Sequence, residues 1–198
     1  ICLGLGAIKT WTRTAKARRD YPKQPIEEKE SYRWLETAEQ TKKNLPEVAQ
    51  LTIIADRESD IYEEWDRVPD EKTHRITRCC RDRKLTAEVM LYSYVDSLKV
   101  SGLYEFEVEA RVGKRSAHKA RLEIRFSEVE IKRPKNCSDK NAAKSVKLHV
   151  VDVKECTDTV VGNEEPIHWC LLTTHDVKTK EDALRIVKWY CLRWNIEQ

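Results

Sequence analysis

The sequence predicts an α/β fold: a mixed sheet flanked by helices and interrupted by an antiparallel β-rich insertion. Three observations lead there. LTIIAD (51–56) and IHWCLLTT (167–174) are short, continuous apolar runs, as expected of strands buried on both faces. Helical periodicity runs through ESYRWLETAEQTKKNL, RESDIYEEWDRV and KTKEDALRIVKWYCLRWNIEQ. Across residues 85–165 the apolar period becomes two, most clearly in YEFEVEARV.

In chain order, ICLGLGAIKTWTR (1–13) predicts a strand leaving the core, followed by a polar loop broken by Pro22 and Pro25. In the first helix Tyr32, Leu35, Ala38 and Glu39 share one side, and Pro46 closes it. After strand 51–56, Ile61, Trp65 and Val68 fall at helical spacing, and HRITRCC (74–80) is the next strand candidate. Phe106, Val108, Ala110 and Val112 then alternate with Glu105, Glu107, Glu109 and Arg111. Leu122, Ile124 and Phe126 repeat the pattern, as do Val146, Leu148 and Val150, which predicts an antiparallel sheet with one wet face. Residues 135–143 read as a hairpin loop. The final helix has Thr179 as N-cap, Glu181 and Asp182 in its first turn, and Leu184, Val187, Cys191 and Trp194 at helical spacing. The expected organisation is a core over 1–84, an insertion over 85–165, and the last core strand and helix over 166–198.

Of the 198 residues, 40% are hydrophobic and 36% charged, and no apolar run reaches membrane-spanning length. A net charge of +3 does not by itself point to nucleic acid. The seven cysteines form no CxxC pair and no zinc-type spacing with histidine. With Cys170 and Cys191 at apolar positions, they suit reduced, partly buried thiols in a cytoplasm. The chain starts at Ile1 and stops one residue after Glu197 inside a helical pattern, so it reads as a piece of a longer protein.

Asp56 sits at the carboxyl end of a buried strand, where ligands of open α/β sheets gather. It suits a metal ligand, though on position alone a helix N-cap is the plainer reading. On the last helix Tyr190, Arg193 and Glu197 fall on one face. They offer a hydroxyl, a guanidinium able to grip a phosphate, and a carboxylate. The plainer alternative is a solvated Arg193–Glu197 pair. Basic residues cluster in RITRCCRDRK, with Arg75, Arg78, Arg81, Arg83 and Lys84, and recur in ARVGKRSAHKARLEIR and IKRPK. Such residues make phosphate contacts that position DNA, or simply solubilise a strand face.

The segment Asp56-Arg57-Glu58-Ser59-Asp60-Ile61, followed by a β-rich stretch and a helix bearing Tyr190-x2-Arg193-x3-Glu197, resembles the RNase H-like DDE transposases. More narrowly, it resembles the bacterial cut-and-paste insertion-sequence-four group. WTR (11–13) and KESYRWLE (29–36) also resemble that family, so the likeness runs along essentially the whole chain. It implies an RNase H-like core with Asp56 and Glu197 as catalytic metal ligands and Tyr190 and Arg193 as supporting residues. It further implies two Mg²⁺ ions, replaceable by Mn²⁺, with transposon-end and target DNA as partners and a homodimer on paired ends. A bacterial, nucleoid-associated location goes with it. Trp169 is expected against a flipped base, the alternative being a core tryptophan on an alternating strand, and Arg78, with Arg81 and Arg75, is expected on DNA. The family's first catalytic Asp has no counterpart here, Asp20 lying in a polar loop, and the signature's Lys would fall beyond Gln198. The chain alone is therefore expected to be inactive. The alternatives are an inactive truncated remnant that binds DNA or inhibits the enzyme, and a β-rich nucleic-acid module in which Asp56 is only a cap.

Overall fold

A computed structural model of the chain describes residues 4–12, 24–110, 113, 115–137 and 139–196. It is mixed α/β, with a six-stranded sheet in the order β1-β2-β6-β5-β4-β3. The strands are β1 (Leu51–Ala55), β2 (Thr73–Arg78), β3 (Gly102–Val108), β4 (His118–Lys132), β5 (Ser145–Glu155) and β6 (His168–Thr173). Four α-helices accompany them among the described residues: α1 (Tyr32–Asn44), α2 (Tyr62–Arg67), α3 (Leu91–Ser97) and α4 (Lys180–Cys191). β1 and β2 are parallel, and every other neighbouring pair is antiparallel.

The sheet is covered on both faces. One face packs Val129, Ile131, Leu148, Val150 and Leu172 against Tyr62 and Trp65 of α2 and Leu91 and Val95 of α3. The other packs Ile76, Ile124, Val151, Val153 and Leu171 against Ala183, Ile186, Val187 and Tyr190 of α4. β5 therefore carries consecutive buried residues from Val150 to Val153, where the sequence suggested alternation with a wet face. The strands of 85–165 continue the same sheet as β1, β2 and β6.

Several expectations need correction. Residues 4–12 form no strand. Gly4 takes φ 139°, a conformation that L side chains rarely adopt, and the segment lies along α1 instead. Asn44 Nδ2 donates to the Gly6 carbonyl at 2.7 Å, Lys9 pairs with Glu36, and Arg33 lies 4.1 Å over the Trp11 ring. The helix expected over RESDIYEEWDRV is split. A 3-10 turn (Arg57–Ser59) precedes α2, because Asp60 turns its carboxylate inward and Ile61 is extended. β3 ends at Val108, leaving Ala110 exposed, and Val112 lies outside the described residues. α3 falls where period-two reading predicted strand, its Leu91 and Val95 buried one helical turn apart.

Candidate functional site

Because β1 and β2 are parallel and β6 runs against β2, the end of β1, the end of β2 and the start of β6 meet at one edge of the sheet. That edge holds Asp56, Arg78 and Trp169. α4 crosses the face beneath it. Its N-terminus is fixed by a capping box: the Thr179 hydroxyl accepts from the Asp182 N–H at 3.1 Å, and the Asp182 carboxylate accepts from the Thr179 N–H at 3.0 Å. The α-helix ends at Cys191 and tightens into a 3-10 turn (Leu192–Ile196). Arg193 therefore lies in the 3-10 turn, while Tyr190 belongs to the last turn of α4.

Asp56 is both a cap and something more. Its Oδ1 accepts from the Arg57 N–H at 2.5 Å, so the N-cap role is real. Its Oδ2 lies 3.9 Å from Arg193 Nη1, and its side chain is 44% exposed, enough to meet an ion or ligand from solvent. Tyr190 is buried. Burial, and then the Asp56 carboxylate, push its phenol above the ordinary range, while Arg193, hydrogen bonded to it, acts the other way. Trp169 stands edge-on to Tyr190 with ring centroids 5.9 Å apart, and edge-on to Phe106 at 5.7 Å. The structure thus joins Asp56, Tyr190, Arg193 and Trp169 into one contact chain. Glu197, the remaining acid of the expected set, lies outside the described residues.

The basic cluster separates. Arg78 is half-buried at the site edge and donates to the His168 carbonyl at 2.7 Å. Arg81 is exposed and shares with Arg57 the lining of a cavity of about 320 Å³ that also meets Asp60, Cys80 and Arg83. Arg75 is a correction. It is fully buried, paired with Glu64 at 2.6 Å, donates to Ser59 Oγ at 2.8 Å, and lies 4.5 Å over the Trp65 ring. It presents nothing to a phosphate. Burial pushes the Glu64 carboxyl up and Arg75 pulls it back. Arg83 is likewise buried, gripping Asp60 through Nε at 2.9 Å, and Asp60 also accepts from the Cys80 N–H at 3.0 Å. Burial raises the Asp60 carboxyl pKa, but Arg83 and these hydrogen bonds outweigh it and hold it low.

Farther along the sheet the basic residues face acids. Lys119 pairs with Glu105, Arg121 with Asp158, Arg125 with Glu123, and Lys132 with Glu88. Arg111 and Lys114 lie outside the described residues. Sequence reasoning missed the two buried pairs, Arg75–Glu64 and Arg83–Asp60, which brace the turn after Asp56. The available signal was the acid-rich DIYEEW segment, since a helix with inward-facing acids needs cations opposite.

Among the described residues no group of three or more His, Cys, Asp or Glu could hold a metal ion. No helix among them is long and apolar enough to cross a membrane. No known protein-family model matches the chain.

Proposed function

We propose that this chain carries the catalytic core of a DDE-type DNA transposase of RNase H-like fold, which cleaves transposon ends and joins them to target DNA. The supporting observation is the approach of Arg193 to Asp56, at 3.9 Å, from two motifs far apart in sequence. Their order and residue types are those of the resemblance, and the fold sets them at one sheet edge.

Asp56 fits a role as one ligand of a Mg²⁺ or Mn²⁺ pair: it is a hard oxygen donor, exposed at a strand end, with one oxygen held by a backbone N–H. Glu197 would be a second ligand. Two such ions would activate the attacking oxygen and stabilise the leaving oxygen of a phosphodiester. The chain's own contribution is positioning. The cap at Arg57 limits rotation of Asp56, and Arg193 supplies a fixed positive charge beside it. Tyr190 and Trp169 form the wall of the site on the α4 side. The partners are transposon-end and target DNA, with a homodimer bringing two ends together.

The test uses the full gene product with transposon-end DNA. Asp56→Ala and Glu197→Ala abolish Mg²⁺-dependent cleavage while end binding stays within a few-fold of wild type. Normal cleavage by Asp56→Ala overturns the assignment. A wild-type protein that binds ends yet cleaves in neither Mg²⁺ nor Mn²⁺ points to the inactive remnant instead.

A further inference from the structure

The face of the sheet opposite the candidate site holds two cysteines directly across from one another. The β2–β6 register pairs Arg78 with Leu171, and so sets Cys79 opposite Cys170. The Cys79 N–H donates to the Cys170 carbonyl at 2.8 Å, making this a hydrogen-bonded antiparallel position. Cα atoms at such positions stand about 5.5 Å apart. That separation is close to the commonest one in disulfides, about 5.5–6 Å. Both side chains pack into the same core cluster, so both point to the same side of the sheet. Both thiols are free and buried.

We propose that Cys79 and Cys170 form a reversible dithiol–disulfide pair that responds to hydroperoxides, cross-linking β2 to β6. Cys79 lies just past the last residue of β2, beside the exposed Cys80, and is the first thiol to react. The neighbouring Cys170 thiol favours the Cys79 thiolate and so lowers the Cys79 pKa, while Cys79 and burial push Cys170 up. The Cys79 thiol donates to the Arg81 carbonyl at 3.0 Å, a contact that must open before the thiolate forms. In the reaction the Cys79 thiolate attacks one peroxide oxygen, the O–O bond breaks, and the departing hydroxide takes up a proton to leave as water. Cys170 sulfur then attacks the Cys79 sulfenic acid, the S–S bond forms, and the sulfenic hydroxyl leaves with the Cys170 proton as a second water. Two thiols lose two electrons in all, and one peroxide becomes two waters.

No other described cysteine pair shares this arrangement. Cys80 is adjacent to Cys79 but exposed, and meets Cys137 only across the open cavity. The pair stands apart from the proposed activity, since Arg78 and Trp169 turn to the α4 side while Cys79 and Cys170 turn away from it.

The test treats the native chain with hydrogen peroxide, blocks remaining thiols after unfolding, and maps bridges by tandem mass spectrometry. The thiol count is expected to fall by two from the seven of the chain, with one bridge joining Cys79 to Cys170, reversed by dithiothreitol. The Cys80→Ser/Cys137→Ser variant keeps the bridge, and Cys170→Ala loses it. Recovery of Cys79 and Cys170 both as free thiols overturns the proposal, as does a bridge from Cys80 to Cys137. If Cys170→Ala fails to fold, the wild-type map and the double variant still decide.

Discussion

Replacing Arg75 by Met separates a buried structural ion pair from a DNA contact. The guanidinium is fully enclosed, 2.6 Å from a Glu64 carboxylate that is itself buried, and it donates to Ser59 Oγ at 2.8 Å and Thr77 Oγ1 at 3.2 Å. Methionine keeps most of the stem but leaves Glu64, whose carboxyl burial already pushes up to about 7, without its counter-ion, so that it either holds an unpaired buried charge or takes up a proton. Breaking a buried pair in this way costs about 3–5 kcal/mol. Against a total of about 5–15 kcal/mol, the loss is large and visible in urea unfolding followed by tryptophan fluorescence. The double variant Arg75→Met/Glu64→Leu recovers most of it, because no uncompensated charge remains. A surface phosphate contact behaves oppositely: stability moves by less than about 0.5 kcal/mol while the salt dependence of DNA binding falls by about one ion. A loss below about 1 kcal/mol for Arg75→Met would refute the buried-pair reasoning.

Four further outcomes follow from the same geometry. Burial, and then His74 and Arg185, push the His175 imidazole down to about 4, while the unfolded chain protonates it near 6.5. The stability it contributes is therefore complete above pH 6.5 and lost as pH falls toward 4, by up to about 3 kcal/mol; His175→Phe should flatten that stretch of a urea-midpoint profile. Thr179→Ala removes the α4 capping box at a cost of about 1 kcal/mol, read by thermal melting, and an unchanged melt would show the cap to be idle. Trp169→Ala loses its edge contacts with Phe106 and Tyr190 and should cost roughly 3 kcal/mol, whereas a solvent-facing base platform would change stability by under about 0.5 kcal/mol. Arg121→Ala opens an exposed pair with Asp158 and a contact with Cys156, so its urea midpoint should stay within about 1 kcal/mol of wild type.

What was legible in the sequence was what local pattern controls. α1, β1 and β6 fall where apolar spacing placed them, and α4 begins at the expected Thr179 cap, but β1 is the outermost strand of the described sheet and only Ala55 in it is buried, so its apolar run did not mean burial on both faces. Asp56 could be placed at a sheet edge because a short apolar run before a polar turn can hardly end elsewhere. The misses have a different cause. α3 has only Leu91 and Val95 to mark its inner face, too few to be told from alternation. The shift of α4 into a 3-10 turn at Leu192 leaves no trace in apolar spacing, yet it sets where Arg193 points. The basic cluster is the clearest case. In HRITR, strand alternation sends Arg75 and Thr77 to one face and Ile76 and Arg78 to the other, but alternation does not say which face α2 will cover. Once α2 sets Glu64 over Arg75, one arginine becomes core and its neighbour-but-two, Arg78, remains at the site edge. The same holds along β3 and β4, where register sets Lys119 within reach of Glu105. Whether a basic segment presents charge to a nucleic acid depends on the acids that the fold places opposite it. Strand register and helix docking decide that, and both are properties of pairs of segments.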